Sequence, residues 1–125
     1  MSASSNSKLV AIVDDDASMR GALQGLMKVI GFPSRAFESA EEFLGSGDQR
    51  ETACLIADIR MPGMSGLELQ AKLNSERCSI PTIFITAHGD EEMRLQALRA
   101  GAVEFLPKPF DDEVLVESVR AALDR

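Results

Sequence analysis

Tryptophan and tyrosine are absent from this sequence, histidine occurs once (His88), and cysteine twice (Cys54 and Cys78). The cysteines form no CxxC pair, and with one histidine they cannot complete a zinc set. Cys54 lies in an apolar run and is expected to be a buried thiol, as suits a reducing compartment. No GxxxxGK[ST] run is present, which excludes a P-loop nucleotide site. No apolar run approaches the roughly 20 residues needed to cross a bilayer. Residues 1–7 are small and polar, without the apolar stretch of a signal peptide. Basic residues are also scarce: 13 Lys and Arg stand against 20 Asp and Glu, for a net charge of −7. That balance argues against a nucleic-acid-binding surface. Together these absences predict a cytoplasmic protein with no membrane contact.

At 125 residues, 45% of them hydrophobic, the chain is long enough for one core without staples. Residues 1–7 are expected to be disordered and residues 8–125 to form a single domain. Five short apolar runs, 8–13, 34–37, 52–57, 82–86 and 102–106, read as strands. Those at 8–13 and 82–86 are continuously apolar at their centres, 9–13 and 83–85, as strands buried on both faces are. Pro107 and Pro109 are expected to stop the fifth run, since proline cannot donate to a ladder. Between the runs the apolar period changes to that of a helix. Met19, Ala22, Leu23, Leu26, Met27 and Ile30 form one stripe, closed by Gly31. Ser39 with Glu42, and Ser65 with Glu68, have capping-box spacing, and Asp111 is a fair N-cap. Met93, Leu95, Ala97 and Leu98, then Val114, Leu115, Val119 and Leu123, mark the last two helices. Alternating strands and helices predict an α/β fold: a doubly wound, five-stranded parallel sheet with five helices.

Right-handed crossovers put the C-terminal end of every strand on one edge. The residues just past each run then share a rim, where open α/β sheets bind ligands. They are Asp14, Asp15 and Asp16 after the first run, Asp58 after the third, Thr86 ending the fourth and Lys108 after the fifth. Crowded carboxylates repel one another unless a cation neutralises them. Oxygen donors without thiolates or a histidine cluster indicate a hard cation, Mg²⁺ or Mn²⁺. Mg²⁺ combines one or two carboxylates with waters and a phosphate. A carboxylate that attacks phosphorus gives an aspartyl-phosphate. Lys108 and the Thr86 hydroxyl suit the transferring oxygens.

These residues fall in four motifs: Val13-Asp14-Asp15, the run Asp58-Ile59-Arg60-Met61-Pro62-Gly63-Met64-Ser65-Gly66, Ile85-Thr86-Ala87, and Leu106-Pro107-Lys108-Pro109-Phe110. As an ordered set they resemble the bacterial response-regulator receiver domain, the CheY-like superfamily, over residues 9–123. The stretches 39–44, 86–90 and 100–105 are similar to its FixJ-type subgroup. The resemblance implies a flavodoxin-like strand order of 2-1-3-4-5. It implies Asp58 as phosphoacceptor from a sensor histidine kinase and Asp15 as direct metal ligand. Asp14 would act on the metal through water, and the Arg60 backbone carbonyl would be a further ligand. Thr86 matches the switch hydroxyl, Lys108 the lysine of the site, with a cis bond to Pro109, and Phe105 the aromatic rotamer switch. Arg60 and His88 fall at the rim positions that tune phosphoryl lifetime. The face of helix four, strand five and helix five would then form a phosphorylation-dependent homodimer. Control of transcription would pass through an output domain absent from this chain.

Two rival readings fit the same residues less well. A haloacid-dehalogenase-like phosphatase needs a second acid two residues past its nucleophile, and position 60 is Arg. A phosphorylation-independent module with a degenerate receiver fold would have lost some of the acids, the Thr or the Lys, and all are in place.

Overall fold

The computed structural model describes residues 8–87 and 89–124. The order is β1 (Leu9–Val13), α1 (Ala17–Ile30), β2 (Ser34–Phe37), α2 (Ala40–Ser46), a 3-10 turn (Gln49–Glu51), β3 (Thr52–Ala57), α3 (Gly66–Ser75), β4 (Thr82–Thr86), α4 (Glu91–Arg99), β5 (Glu104–Pro107) and α5 (Asp112–Leu123). The five strands form one sheet in the order β2-β1-β3-β4-β5, and every pairing is parallel. Fold class and strand order thus follow the expectation. The disordered segment expected at residues 1–7 lies outside the described residues.

Each face of the sheet carries its own core. Ala11, Val13, Leu55, Ala57 and Phe84 point to the side covered by α2, α3 and α4, with Phe43, Leu69, Leu73 and Ala97. Val10, Ile12, Cys54, Ile56, Ile83 and Ile85 point to the other, with Leu23 and Met27 of α1 and Leu115 and Val119 of α5. Side chains alternate across a strand, so a strand covered on both faces needs apolar residues pointing both ways. All residues of β1 and β4 are accordingly buried. Cys54 is fully buried as expected, and burial pushes its thiol up to about 12.

The helix ends follow the sequence signals with one refinement, at α2. Asp16 accepts from Ser18 N and Met19 N, Asp90 from Met93 N, and Asp111 from Glu113 N. At α3 the Ser65–Glu68 capping box is complete. At α2 it is half-made: Ser39 accepts from Glu42 N, but the Glu42 carboxylate accepts from Glu38 N. The acceptor reaches one residue further back.

The fifth strand is displaced from the expected 102–106. Pro107 extends it, paired in register with Thr86. A proline is tolerated there because β5 is the sheet edge and its missing N–H faces no partner. The next residue restores the ladder, with Lys108 N donating to Thr86 O at 3.0 Å. The stripe expected on α4 is thinner than its sequence suggests. Ala97 is its buried residue, whereas Leu95 is 36% exposed. Two amides of α3 hold the C-terminal end of α4: Gln70 Nε2 donates to Ala97 O at 3.1 Å, and Asn74 Nδ2 to Ala100 O at 3.0 Å.

Gly66 opens α3 where the chain doubles back beneath β3. A Cβ at this position would lie 2.3 Å from Asp58 O and 3.0 Å from the Phe84 ring. Gly25, inside α1, has nothing within 4 Å of its Cβ position. Opposite outcomes are therefore expected from the same substitution. Gly66→Ala should lose about 2 kcal/mol, as overpacking against backbone does. Gly25→Ala should gain about 0.5–1 kcal/mol from helix propensity. Urea unfolding followed by circular dichroism measures both.

Candidate functional site

The register of the sheet assembles the site. Val13 of β1 pairs with Ala57 of β3, so Asp14 and Asp58 step off adjacent strands side by side. Their backbones stay in the ladder: Asp14 N donates to Phe37 O at 3.1 Å, and Asp58 N to Val13 O at 3.0 Å. Thr86 of β4 pairs with Pro107 of β5, which brings Lys108 to the same level. Backbone hydrogen bonds thus fix where four side chains leave the sheet.

Lys108 reaches back across the edge. Its Nζ donates to Asp58 Oδ2 at 2.8 Å and to Asp14 Oδ2 at 3.0 Å. Both acids are buried, with side-chain exposures of 3% for Asp14 and 10% for Asp58. Asp15 is exposed beside them. One carboxylate oxygen from each of Asp14, Asp15 and Asp58 lies within 4.8 Å of the others, a grouping able to hold a metal ion. The donor set is all oxygen, which fits a hard divalent cation. Lys108 brings one positive charge to three carboxylates, so the cluster retains excess negative charge.

The two buried acids are held differently. Asp14 uses both oxygens, since Oδ1 accepts from Asp16 N at 2.9 Å while Oδ2 takes Lys108. Asp58 Oδ1 receives a longer bond, 3.3 Å, from Arg60 N. Burial pushes the Asp14 carboxyl above the usual carboxylate value, against the Asp16 N–H and the Lys108 ammonium, with the Asp58 charge adding to the rise. Burial alone would lower the Lys108 ammonium. Its hydrogen bonds to Asp58 and Asp14 outweigh that, and it stands above the usual lysine value.

The remaining expected residues divide. Thr86 is buried at the end of β4. Phe105 is half-buried, with its ring 6.5 Å from that of Phe84. Its ring edge fills the space a Cβ on Gly89 would need, 2.6 Å from that position. The bond from Lys108 to Pro109 is cis. Arg60 is exposed and makes no ion pair among the described residues; its side chain borders a groove with Met61, Leu67 and Met93. His88 lies outside the described residues.

Two side chains near the site escaped sequence reasoning. Arg20 of α1 donates to Asp14 O at 2.8 Å. Glu41 of α2 accepts from Met64 N at 2.9 Å. No local pattern marks either, because each contact joins segments distant in sequence. A charged residue facing back toward the strand ends was the one available signal.

Comparison with known proteins places this geometry. A family model described as "Response regulator receiver domain" matches residues 10–120. Nodulation protein W of Bradyrhizobium diazoefficiens is 46% identical over 121 residues, 97% of this chain and 53% of that protein. Transcriptional regulatory protein FixJ of Rhizobium meliloti is 42% identical over 113 residues, 90% of this chain and 55% of that protein. The chain therefore spans about half the length of these curated relatives. The crystal structure of FixJ-N superposes with a TM-score of 0.84 at 41% identity, covering 94% of each chain.

The raised Asp14 carboxyl has a consequence for stability. A folded-state carboxyl that binds its proton more tightly than the unfolded one costs stability as pH rises through the carboxylate range. At pH 7 and without divalent metal, Asp14→Asn should therefore raise stability by about 1 kcal/mol, within the usual range for relieving strain at a functional site. The gain should shrink as pH falls below the usual carboxylate value, where Asp14 is protonated in both states. Thermal melts in chelator at pH 7 and pH 3.5 test the sign; equal shifts at both would refute it.

Proposed function

The chain belongs to the response regulator receiver domain family of two-component signalling, and from that premise we propose that Asp58 is its phosphoacceptor. The observation that carries this reading is Lys108 Nζ set between Asp58 and Asp14, 2.8 and 3.0 Å away, with Asp15 completing the acidic group. Asp58 is favoured over Asp14 because its carboxylate is less completely engaged and more open to the rim.

In this reading a sensor histidine kinase presents a phosphohistidine at the rim. An Asp58 oxygen bonds to phosphorus, the phosphorus–nitrogen bond breaks, and the imidazole leaves with the electron pair. Mg²⁺, or Mn²⁺, held by Asp15, Asp58 and the Arg60 carbonyl, with Asp14 acting through water, would supply Lewis-acid stabilisation of the phosphoryl oxygens. Lys108 spreads the charge of those oxygens by a charge-assisted hydrogen bond. The Thr86 hydroxyl donates to one of them. The domain thereby promotes its own phosphorylation and later hydrolysis, as a signalling element and not as an enzyme turning over a free substrate.

The change in charge at Asp58 reaches a partner through Thr86, Phe105 and the face formed by α4, β5 and α5. Leu95 on α4 and Val114 on α5, 36% and 41% exposed, support a contact surface there. We read it as a phosphorylation-dependent homodimer interface. Residues 8–125 make up the receiver domain, and regulation of transcription runs through an output domain outside this chain. That step rests on relatives such as FixJ, called a transcriptional regulatory protein. The proposed site of action is the cytoplasm; among the described residues no helix is long and apolar enough to cross a membrane.

Three variants test the assignments with radiolabelled acetyl phosphate and Mg²⁺. Asp58→Asn should take up no label; retained labelling would overturn the reading. Lys108→Ala should label on the order of 10²-fold more slowly, the usual loss when one donor to a developing charge is removed. Arg60→Ala should keep Asp58 as the labelled residue and change the decay rate of the phosphoryl group. Equal decay in both proteins would remove the Arg60 side chain, though neither its carbonyl nor Asp58, from the scheme.

A further inference from the structure

The turn between β3 and α3 carries Arg60, and its far side is tied to a different layer of the fold. Three attachments are local. Gly66 N donates to Ile59 O at 2.9 Å, closing the base of the turn. Arg60 N donates to Asp58 Oδ1 at 3.3 Å, and Ser65 N to Glu68 Oε1 at 2.9 Å. The fourth crosses from α2, where Glu41 Oε2 accepts from Met64 N at 2.9 Å over a separation of 23 residues.

Gly63 makes room for that crossing. Its φ is +78°, in the left-handed region. A Cβ there would lie 2.6 Å from Glu41 Oε2 and 3.3 Å from Glu41 Cδ. The carboxylate thus occupies the space that a side chain at position 63 would need. A glycine in a turn brings conformational freedom, which must be removed before the neighbouring carbonyls have fixed directions. A charge-assisted bond to the adjacent N–H removes part of it.

We infer that Glu41 is a positioning residue for the metal site: its carboxylate holds the Met64 end of the turn and so limits the freedom of the turn that carries Arg60, whose carbonyl is the proposed further ligand. The inference rests on the proposed metal site. It assigns Glu41 no contact with metal or phosphoryl group. Residues behind the ligands that orient them typically change metal affinity by about 10–100-fold. Glu41 is exposed, which places its effect at the lower end.

The test titrates MgCl2 into the full chain and follows backbone amide shifts, for the unsubstituted protein and for Glu41→Ala and Glu41→Gln. Glutamine keeps an oxygen acceptor for Met64 N and removes the charge. Glu41→Ala should bind Mg²⁺ about tenfold more weakly, and Glu41→Gln should bind close to the unsubstituted protein. In metal-free protein, Met64 amide exchange should accelerate in Glu41→Ala and stay near the original rate in Glu41→Gln. Unchanged Mg²⁺ affinity in Glu41→Ala would overturn the inference and leave the metal site standing. Equal weakening in both variants would overturn it in favour of a through-space charge effect. Absence of Mg²⁺ binding by the unsubstituted protein would overturn the metal reading itself, and the inference with it.

Discussion

The structure depends on one unfavourable juxtaposition, three carboxylates gathered at the end of a buried sheet. Two of them, Asp14 and Asp58, are almost fully buried. Removing charge from water costs several kcal/mol per ion unless it is paired and hydrogen-bonded. Lys108 meets part of that cost by bonding to both at once. It cannot meet all of it, and the raised Asp14 carboxyl records the shortfall. Such a site holds affinity for further positive charge in reserve. It also explains why the sheet beneath must be rigid. If β1 and β3 slipped out of register, the carboxylates would move apart and the repulsion would relax. The unbroken apolar runs of β1 and β4, with backbone pairing on both sides, prevent that relaxation.

Much of this was legible in the sequence because the signals are local. Continuous apolar runs give central strands, and their abrupt polar ends give the rim. Ser65 and Asp111 cap their helices where the spacing predicts. The site residues are legible for the same reason: each stands at or just past the end of a strand, and parallel topology sends all strand ends to one edge. What was not legible is tertiary. Pro107 looks like a strand breaker until β5 is known to lie at the sheet edge. The α4 stripe looks buried until α3 is seen to hold that helix by amide-to-carbonyl bonds at its C-terminal end. The Glu41–Met64 contact has no periodicity to betray it. The roles given to Asp58, Asp15, Thr86 and Lys108 came from the resemblance carried by the motifs. The geometry brings Asp15, Asp58 and Lys108 together with Asp14 and sets Thr86 at the end of the adjacent strand.

The same features mark where the fold gives way most cheaply. β5 is short, lies at the edge and contains a proline, so moving it disturbs fewer ladder bonds than moving any inner strand. α4 is anchored through Ala97 and Ala100 at one end, while its first turn borders a cavity of about 290 Å³ lined by Thr86, Gly89, Asp90, Glu91, Arg94 and Phe105. Local opening favours segments with few buried apolar contacts. Lys108 follows β5 directly, and Thr86 ends the strand beside it. Any group that draws Lys108 away from Asp14 and Asp58 therefore pulls on this edge strand first. The Phe105 ring lies against Gly89, so the start of α4 is the next element in contact. A change of charge at the centre of the rim thus has a short mechanical route to one side of the molecule.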